Sequence, residues 1–500
     1  MPTETSGRSS RSRLSSRDWR TIFTLLIASF VVILNETIMN VALPRLMVEL
    51  GVSANTVQWL STGFLLTMAV VIPMTGFILQ RLRTRVVFVT AMGLFCLGTL
   101  IAGIAPGFPM LLAGRIVQAS GTAIMLPLLM TTILGLVPPE RRGAIMGTVS
   151  IVISVAPAFG PTVSGLILEA LPWRFMFLLV LPIALVVLAF GARRLVDVGE
   201  VRRSYIDVPS VVLSALGFGG FVYGVSRAGE GPGAWSHPEV LVALAVGVLS
   251  LVFFVGRQLA LQRSGVPLLD LRVFRYPMFT LSVGLFMIVM MALFGSMILL
   301  PMYLQNVRGF GSLQTGLLLL PGGALMGLAA PFVGRIFDRH GPVALTGVGA
   351  GLLTLALWRL STITGGTSVG MLLALHLVLS LGLALLFTPL MTTGLNPLPS
   401  RLYSHGSATM STLQQVAGAV GTALLITIMT NRAASLGNAV SPQLAQAAGL
   451  RSAFAVSAAF ALVAMFLTFF LRRTMPDEDD VGLATEPTVS ANAEAALTAD

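Results

Sequence analysis

Lysine is missing from this chain, so all 31 basic residues are arginine; there is one cysteine, there are four histidines, and only 10% of the 500 residues are charged. Each shortage excludes something. The single Cys96 cannot build a disulfide framework or a cysteine metal cluster, and no histidine pair has the spacing of metal ligands. No nucleophile and base can be named as a set, which argues against a membrane hydrolase, and no Walker loop follows a strand, so ATP is not the evident energy source. We expect no metal, no cofactor and no enzyme. The net charge of +11 lacks the basic runs interleaved with aromatics that nucleic-acid binding requires. With charge so scarce and 55% of residues hydrophobic, a soluble protein of this length is excluded as well.

What the chain has in abundance is apolar runs. Fourteen of them, the first at 21–43 and the last at 450–471, are each long enough to cross a hydrocarbon core of about 30 Å. Short turns bearing arginine, glycine or proline separate them, so the expected fold is all-α and polytopic, helices and not a barrel. The first run is too long for a secretory leader and flows into Glu36 and Pro44, so it is read as an uncleaved helix. Arginines crowd alternate connections, among them Arg81, Arg83 and Arg85, then Arg141 and Arg142, then Arg193 and Arg194, and at the end Arg472 and Arg473. The positive-inside rule makes that side cytoplasmic, with both termini on it. An arginine-only basic complement hints at a GC-rich bacterial genome, hence a bacterial cell (inner) membrane.

Two charged connections, 193–206 and 257–277, set the seventh and eighth runs apart as a hairpin. The expected organisation is a basic N-terminus at 1–20, a six-helix bundle at 21–192, a linker and two-helix hairpin at 193–277, a second six-helix bundle at 278–471 and a disordered tail at 472–500. Two halves of six helices are the arrangement of a transporter built from repeats. An internal echo agrees: Gly76-Phe77-Ile78-Leu79-Gln80-Arg81 after the second run resembles Gly334-Arg335-Ile336-Phe337-Asp338-Arg339 after the tenth.

The stretch Leu34-Asn35-Glu36-Thr37-Ile38-Met39-Asn40 puts a carboxylate, two amides and a hydroxyl where hydrocarbon should surround them. A charged residue at the bilayer centre costs about 2.5–3.5 kcal/mol on insertion scales, so such groups face a bundle interior or a water-filled cavity. Of the 20 acids, only Glu36 lies well inside a run. If one carboxylate switches its proton during transport, Glu36 is that residue, with Asn35 and Asn40 beside it as substrate contacts. Arg115 and Gln118, spaced i and i+3 in the fourth run, form a second polar face within the membrane, with Gln118 a further candidate substrate contact. Burial and a nearby Arg115 would act in opposite senses on the proton affinity of Glu36. The stripe of Met287, Met290, Met291, Phe294 and Met297 is adaptable apolar surface, either packing or pocket lining, with Met291 and Phe294 as candidate contacts. A lone His376 in the twelfth run reads as packing ahead of a proton relay.

These features together resemble the major facilitator superfamily, in its fourteen-helix drug:proton antiporter branch and the subgroup similar to lincomycin-resistance exporters. The first-helix signature of that branch, an acid shortly before Asn-Val-Ala-Leu-Pro, corresponds to Asn35-Glu36-Thr37-Ile38-Met39-Asn40-Val41-Ala42-Leu43-Pro44, with Glu36 one place after the usual acid. The gating motif Gly-x-x-x-Asp-Arg-x-Gly-Arg is matched by Gly76, Arg81 and Arg85 but carries Gln80 for the acid and Arg83 for the glycine, which suggests a weaker or differently paired latch; the second copy keeps Asp338, Arg339 and Gly341. Arg115-Ile116-Val117-Gln118 resembles the buried arginine motif of the fourth helix, and Gly160, Pro161 and Gly165 match the antiporter motif of the fifth.

The resemblance implies two six-helix bundles with an extra central hairpin, Arg115 as a partner in proton coupling, Trp59 and Thr62 as pocket residues by family position, and export as the direction. The expected function is proton-coupled multidrug efflux of amphipathic or cationic compounds by alternating access. A dedicated exporter of one endogenous compound and a non-transporting scaffold or sensor are the competing readings. The expected partners are the lipid bilayer, protons and a small amphipathic substrate, and the protein is expected to be a monomer.

Overall fold

The computed structural model describes residues 15–52, 54–138, 141–198, 207–228, 233–264, 267–436 and 440–473. Most of the basic N-terminus, part of the linker before the hairpin, and the acidic tail from 474 onward lie outside the described residues. Within them are fourteen helices long and apolar enough to cross a membrane, and no strand.

The first half comprises α1 (Ser16–Leu50), α2 (Ala54–Arg81), α3 (Thr84–Gly103), α4 (Phe108–Leu136) and α5 (Arg142–Ala170), completed by a span in two pieces, α6 (Phe175–Leu178) and α7 (Val180–Arg194). The hairpin is α8 (Val208–Ala228) and α9 (Pro238–Ser264). The second half comprises α10 (Pro277–Met302), α11 (Ser312–His340), α12 (Val343–Leu360), α13 (Val369–Leu395), α14 (Tyr403–Leu436) and α15 (Pro442–Thr468).

Helix ends follow local chemistry. Ser15 and Asp18 form a reciprocal capping box at the start of α1, at 3.1 and 3.0 Å. The helix runs past its expected end at 43 to Leu50 and stops where Gly51 takes a left-handed conformation (φ 62°). Along that extension Arg45 pairs with Glu49 at 2.8 Å, one turn away, and reaches the carbonyl of Leu168 on α5 at 2.6 Å. Inside the spans the prolines Pro73, Pro127, Pro301, Pro321, Pro331 and Pro389 each remove a backbone donor from their helix.

The hairpin does not stand apart from the two halves. Phe218 of α8 and Phe254 of α9 share one apolar cluster with Phe77 of α2, Leu268 and Leu269 of the following connection, and Ala408 of α14. Near the other end Trp59 of α2 stacks on Tyr223 of α8, and Trp235 between α8 and α9 donates to Thr427 of α14 at 2.9 Å. At the arginine-rich end the Arg257 guanidinium donates to both oxygens of Asp207, at 2.6 and 2.7 Å, and that bond holds the carboxyl down at about 2. The α9 helix carries the outer face, with Val242, Leu249, Val252 and Phe253 exposed where lipid would lie.

Between the two halves, close approach is made by glycines. Gly76 lets α2 onto α14, since a Cβ there would lie 2.9 Å from the His405 ring, and Gly334 lets α11 onto α5, where a Cβ would overlap the Gly143 backbone. Both belong to the repeated motif. The echo in the sequence thus marks two cross-half contacts of the same kind.

Candidate functional site

A cavity of about 250 Å³ lies between the halves. Its walls are mostly apolar: Val32 and Ile33 of α1, Met68 and Ile72 of α2, Leu126 of α4, Leu293 and Phe294 of α10, and Leu379 and Leu383 of α13. Glu36 carries the one carboxyl group among the described residues that line it, and it has no hydrogen bond or ion pair among them. Beside it, Gly160 of α5 faces Thr37 so closely that any side chain would overlap it. That glycine therefore sets how tightly α5 packs on the turn carrying Glu36. Pro157, one turn before it, lines the cavity. Gly165 meets nothing within 4 Å, so it makes no close crossing, and Asn40 and Pro161 have side chains outside the described residues.

Behind this wall is a buried polar network. Arg115 donates to Gln118 at 2.6 Å, to Asn35 at 3.4 Å and to the carbonyl of Leu60 at 3.5 Å, and its guanidinium lies 4.0 Å from the centre of the Phe64 ring. Gln118 in turn donates to Thr99 at 2.7 Å. Four helices of the first half are tied together through one cation. Arg115 makes no ion pair with Glu36 among the described residues.

The expected site residues therefore separate into groups. Glu36 and Phe294 come together in the cavity wall. Asn35 and Gln118 are buried in the Arg115 network and not on the wall, because a residue adjacent to Glu36 points about 100° away around the helix, toward α4. Trp59 stacks on Tyr223 of the hairpin and is off the wall, as is Thr62, and Met291 packs against Gly421 where α10 crosses α14. His376, read from sequence as packing, does line the cavity, as do Ser380, Ser411, Gln414 and Gln415. The pair Gln414-Gln415 in the middle of an apolar run carried the same signal as Glu36, that of a polar group kept out of lipid.

Between the cavity and the arginine-rich end the halves are joined by hydrogen bonds. Thr131 meets Ser407 at 2.9 Å and Ser150 meets Thr388 at 2.6 Å. The buried Arg142 donates to Asn396 at 3.3 Å and to the Tyr403 hydroxyl at 2.8 Å. The last turns of α2 and α11 add to the contact. Gln80 donates to the carbonyl of Arg401 at 2.9 Å, while the Asp338 carboxylate accepts from the backbone N–H groups of Gly143 and Ala144, at 3.0 and 2.9 Å. Arg81 lies over Phe77, the backbone N–H of Arg85 bonds Asp197, and Arg339 is exposed.

Comparison with known proteins agrees with this architecture. The family model described as Major Facilitator Superfamily matches residues 25–422. The lincomycin resistance protein LmrB of Bacillus subtilis is 43% identical over 464 residues, covering 91% of this chain and 96% of that protein. Its counterpart from Listeria monocytogenes is 44% identical over 458 residues, with 90% and 96% covered. A multidrug resistance protein B homolog of Mycobacterium tuberculosis is 28% identical over 425 residues, with 85% and 78% covered. Among solved structures, the human organic anion transporter MFSD10 aligns with a TM-score of 0.65 at 16% identity, over 90% of this chain and 99% of that one. The proton:xylose symporter XylE aligns at 0.63 and 14% identity, over 95% and 100%. At such identities the two structures speak for the fold alone.

Proposed function

The chain belongs to the Major Facilitator Superfamily, and from that premise we propose that it is a proton-driven exporter of amphipathic or cationic compounds working by alternating access. One observation carries the reading: a single carboxylate, Glu36, faces a mostly apolar cavity between two six-helix halves and is committed to no partner among the described residues. An unpaired carboxylate in such surroundings has two ways to be neutralised, by a proton or by a cationic ligand, and the two exclude each other. That exclusion is the coupling. With the arginine-rich side taken as cytoplasmic, the cation reaches ionised Glu36 from within; after the halves rock, a proton from outside takes its place and the compound leaves. Arg115, held by Gln118 and Asn35 close behind, supplies a fixed positive field against which the carboxylate loads and unloads.

The lincomycin and multidrug resistance names of the relatives support drugs as the cargo. Everted vesicles energised with an inward-acid gradient, and offered lincomycin, ethidium and a panel of unrelated cations, test the proposal. Uptake of several compounds, collapsed by a protonophore and reduced by at least about tenfold in Glu36→Gln, is the expected result. Uptake by Glu36→Gln at the wild-type level would remove Glu36 from the mechanism. Uptake of one compound only would make the protein a dedicated exporter.

A further inference from the structure

The cavity draws its polar groups unevenly from the two halves. In the first half Thr37 and Thr122 turn their hydroxyls back onto their own helices, at Leu34 (2.9 Å) and Gln118 (3.0 Å), leaving Glu36 uncommitted. A helical serine ordinarily does the same, as Ser296 does to Ala292 at 2.8 Å. Ser380 on α13 and Ser411 on α14 do not: both line the cavity, and neither has a hydrogen-bond partner among the described residues. Gln414, one turn from Ser411, is equally uncommitted there.

Ser380 owes its place to the turn before it. His376 bonds the carbonyl of Leu319 at 3.0 Å through Nε2, and because a carbonyl only accepts, Nε2 carries the hydrogen. This ties α13 to α11 at Gly322, where a Cβ would overlap both the His376 ring and the Ser380 hydroxyl. His376 is thus a positioning residue for Ser380.

We propose that Ser380, Ser411 and Gln414 form a neutral hydrogen-bonding panel opposite Glu36, which selects, among cations, those that also carry a hydroxyl or amide. The inference rests on Glu36 as the cation site and adds the second point of recognition. The ammonium goes to the first half and the polar end to the second, so a ligand that satisfies both bridges the two bodies that move. An apolar cavity with one charge would accept any lipophilic cation. The panel makes the hydrogen-bonding end count.

Equilibrium binding to the purified full-length protein, without any gradient, tests this with a matched pair: propranolol, which has an amine and a hydroxyl, and its analogue lacking the hydroxyl. One or two neutral hydrogen bonds predict that wild type prefers propranolol by about three- to tenfold. In the double variant Ser380→Ala, Gln414→Leu the ratio falls to about one while the affinity for the deoxy analogue stays within about twofold, which also reports an intact cavity. His376→Gln, which keeps a donor for Leu319, retains the preference, and His376→Phe lowers it. Glu36→Gln weakens both ligands alike; if it weakens neither, the cation site is misassigned, while the ratio still reports on the panel. The proposal is overturned if wild type shows no preference or binds neither compound, if the double variant keeps the ratio, or if that variant loses both ligands equally.

Discussion

The last turn of α2 and the last turn of α11 occupy matching places in the two halves, and they grip the opposite half by different chemistry. Gln80 donates one neutral hydrogen bond to the Arg401 carbonyl just before α14. Asp338 accepts two backbone N–H groups at the very start of α5, where the helix dipole also favours negative charge. Each of these turns follows a glycine that brings its helix against the other half, Gly76 on α14 and Gly334 on α5. Fold symmetry alone thus does not give two equal latches. The replacement of an acid by Gln80 leaves the closure at the arginine-rich end resting more on α5 and α11 than on α2 and α14.

The comparison breaks most visibly at Asp338. A hydrogen bond to a charged group is worth about 1.5–3 kcal/mol, so Asp338→Ala is expected to shift the closed–open balance toward open by at least about tenfold. The readout is maleimide labelling of Thr131→Cys, placed at the joint with Ser407, in a Cys96→Ala background. Gln80→Ala, losing one neutral bond, is expected to raise the same labelling rate by only about two- to fivefold. Equal effects, or a larger one at Gln80, would show the two latches to be equivalent despite their chemistry.

Much of this was legible in the sequence, and the rest was not, for reasons that differ from residue to residue. Fourteen apolar runs separated by arginine-bearing turns announced fourteen helices, because a bilayer permits few other solutions. Glu36 stood out because hydrocarbon does not tolerate an unexplained carboxylate. The helical period gives the angle between two residues on one helix but not which neighbour covers each face. That is why Asn35 and Gln118, expected at the substrate, lie in the Arg115 network, and why Trp59, expected in the pocket, stacks on Tyr223 away from the cavity wall. His376 was read as packing since a lone histidine carries no partner in sequence; its contact with Leu319 and the cavity arises only when α13 and α11 meet at Gly322. The hairpin's grip on both α2 and α14 likewise depends on surfaces distant in the chain.

Proton release on ligand binding tests the exchange at Glu36 most directly. Purified protein in weakly buffered detergent solution, at a pH where the free carboxyl holds its proton, receives a saturating cation while a pH dye is followed. The account predicts about one proton released per protein bound, and none from Glu36→Gln. Binding by the wild type without proton release, or the same release from Glu36→Gln, would contradict it.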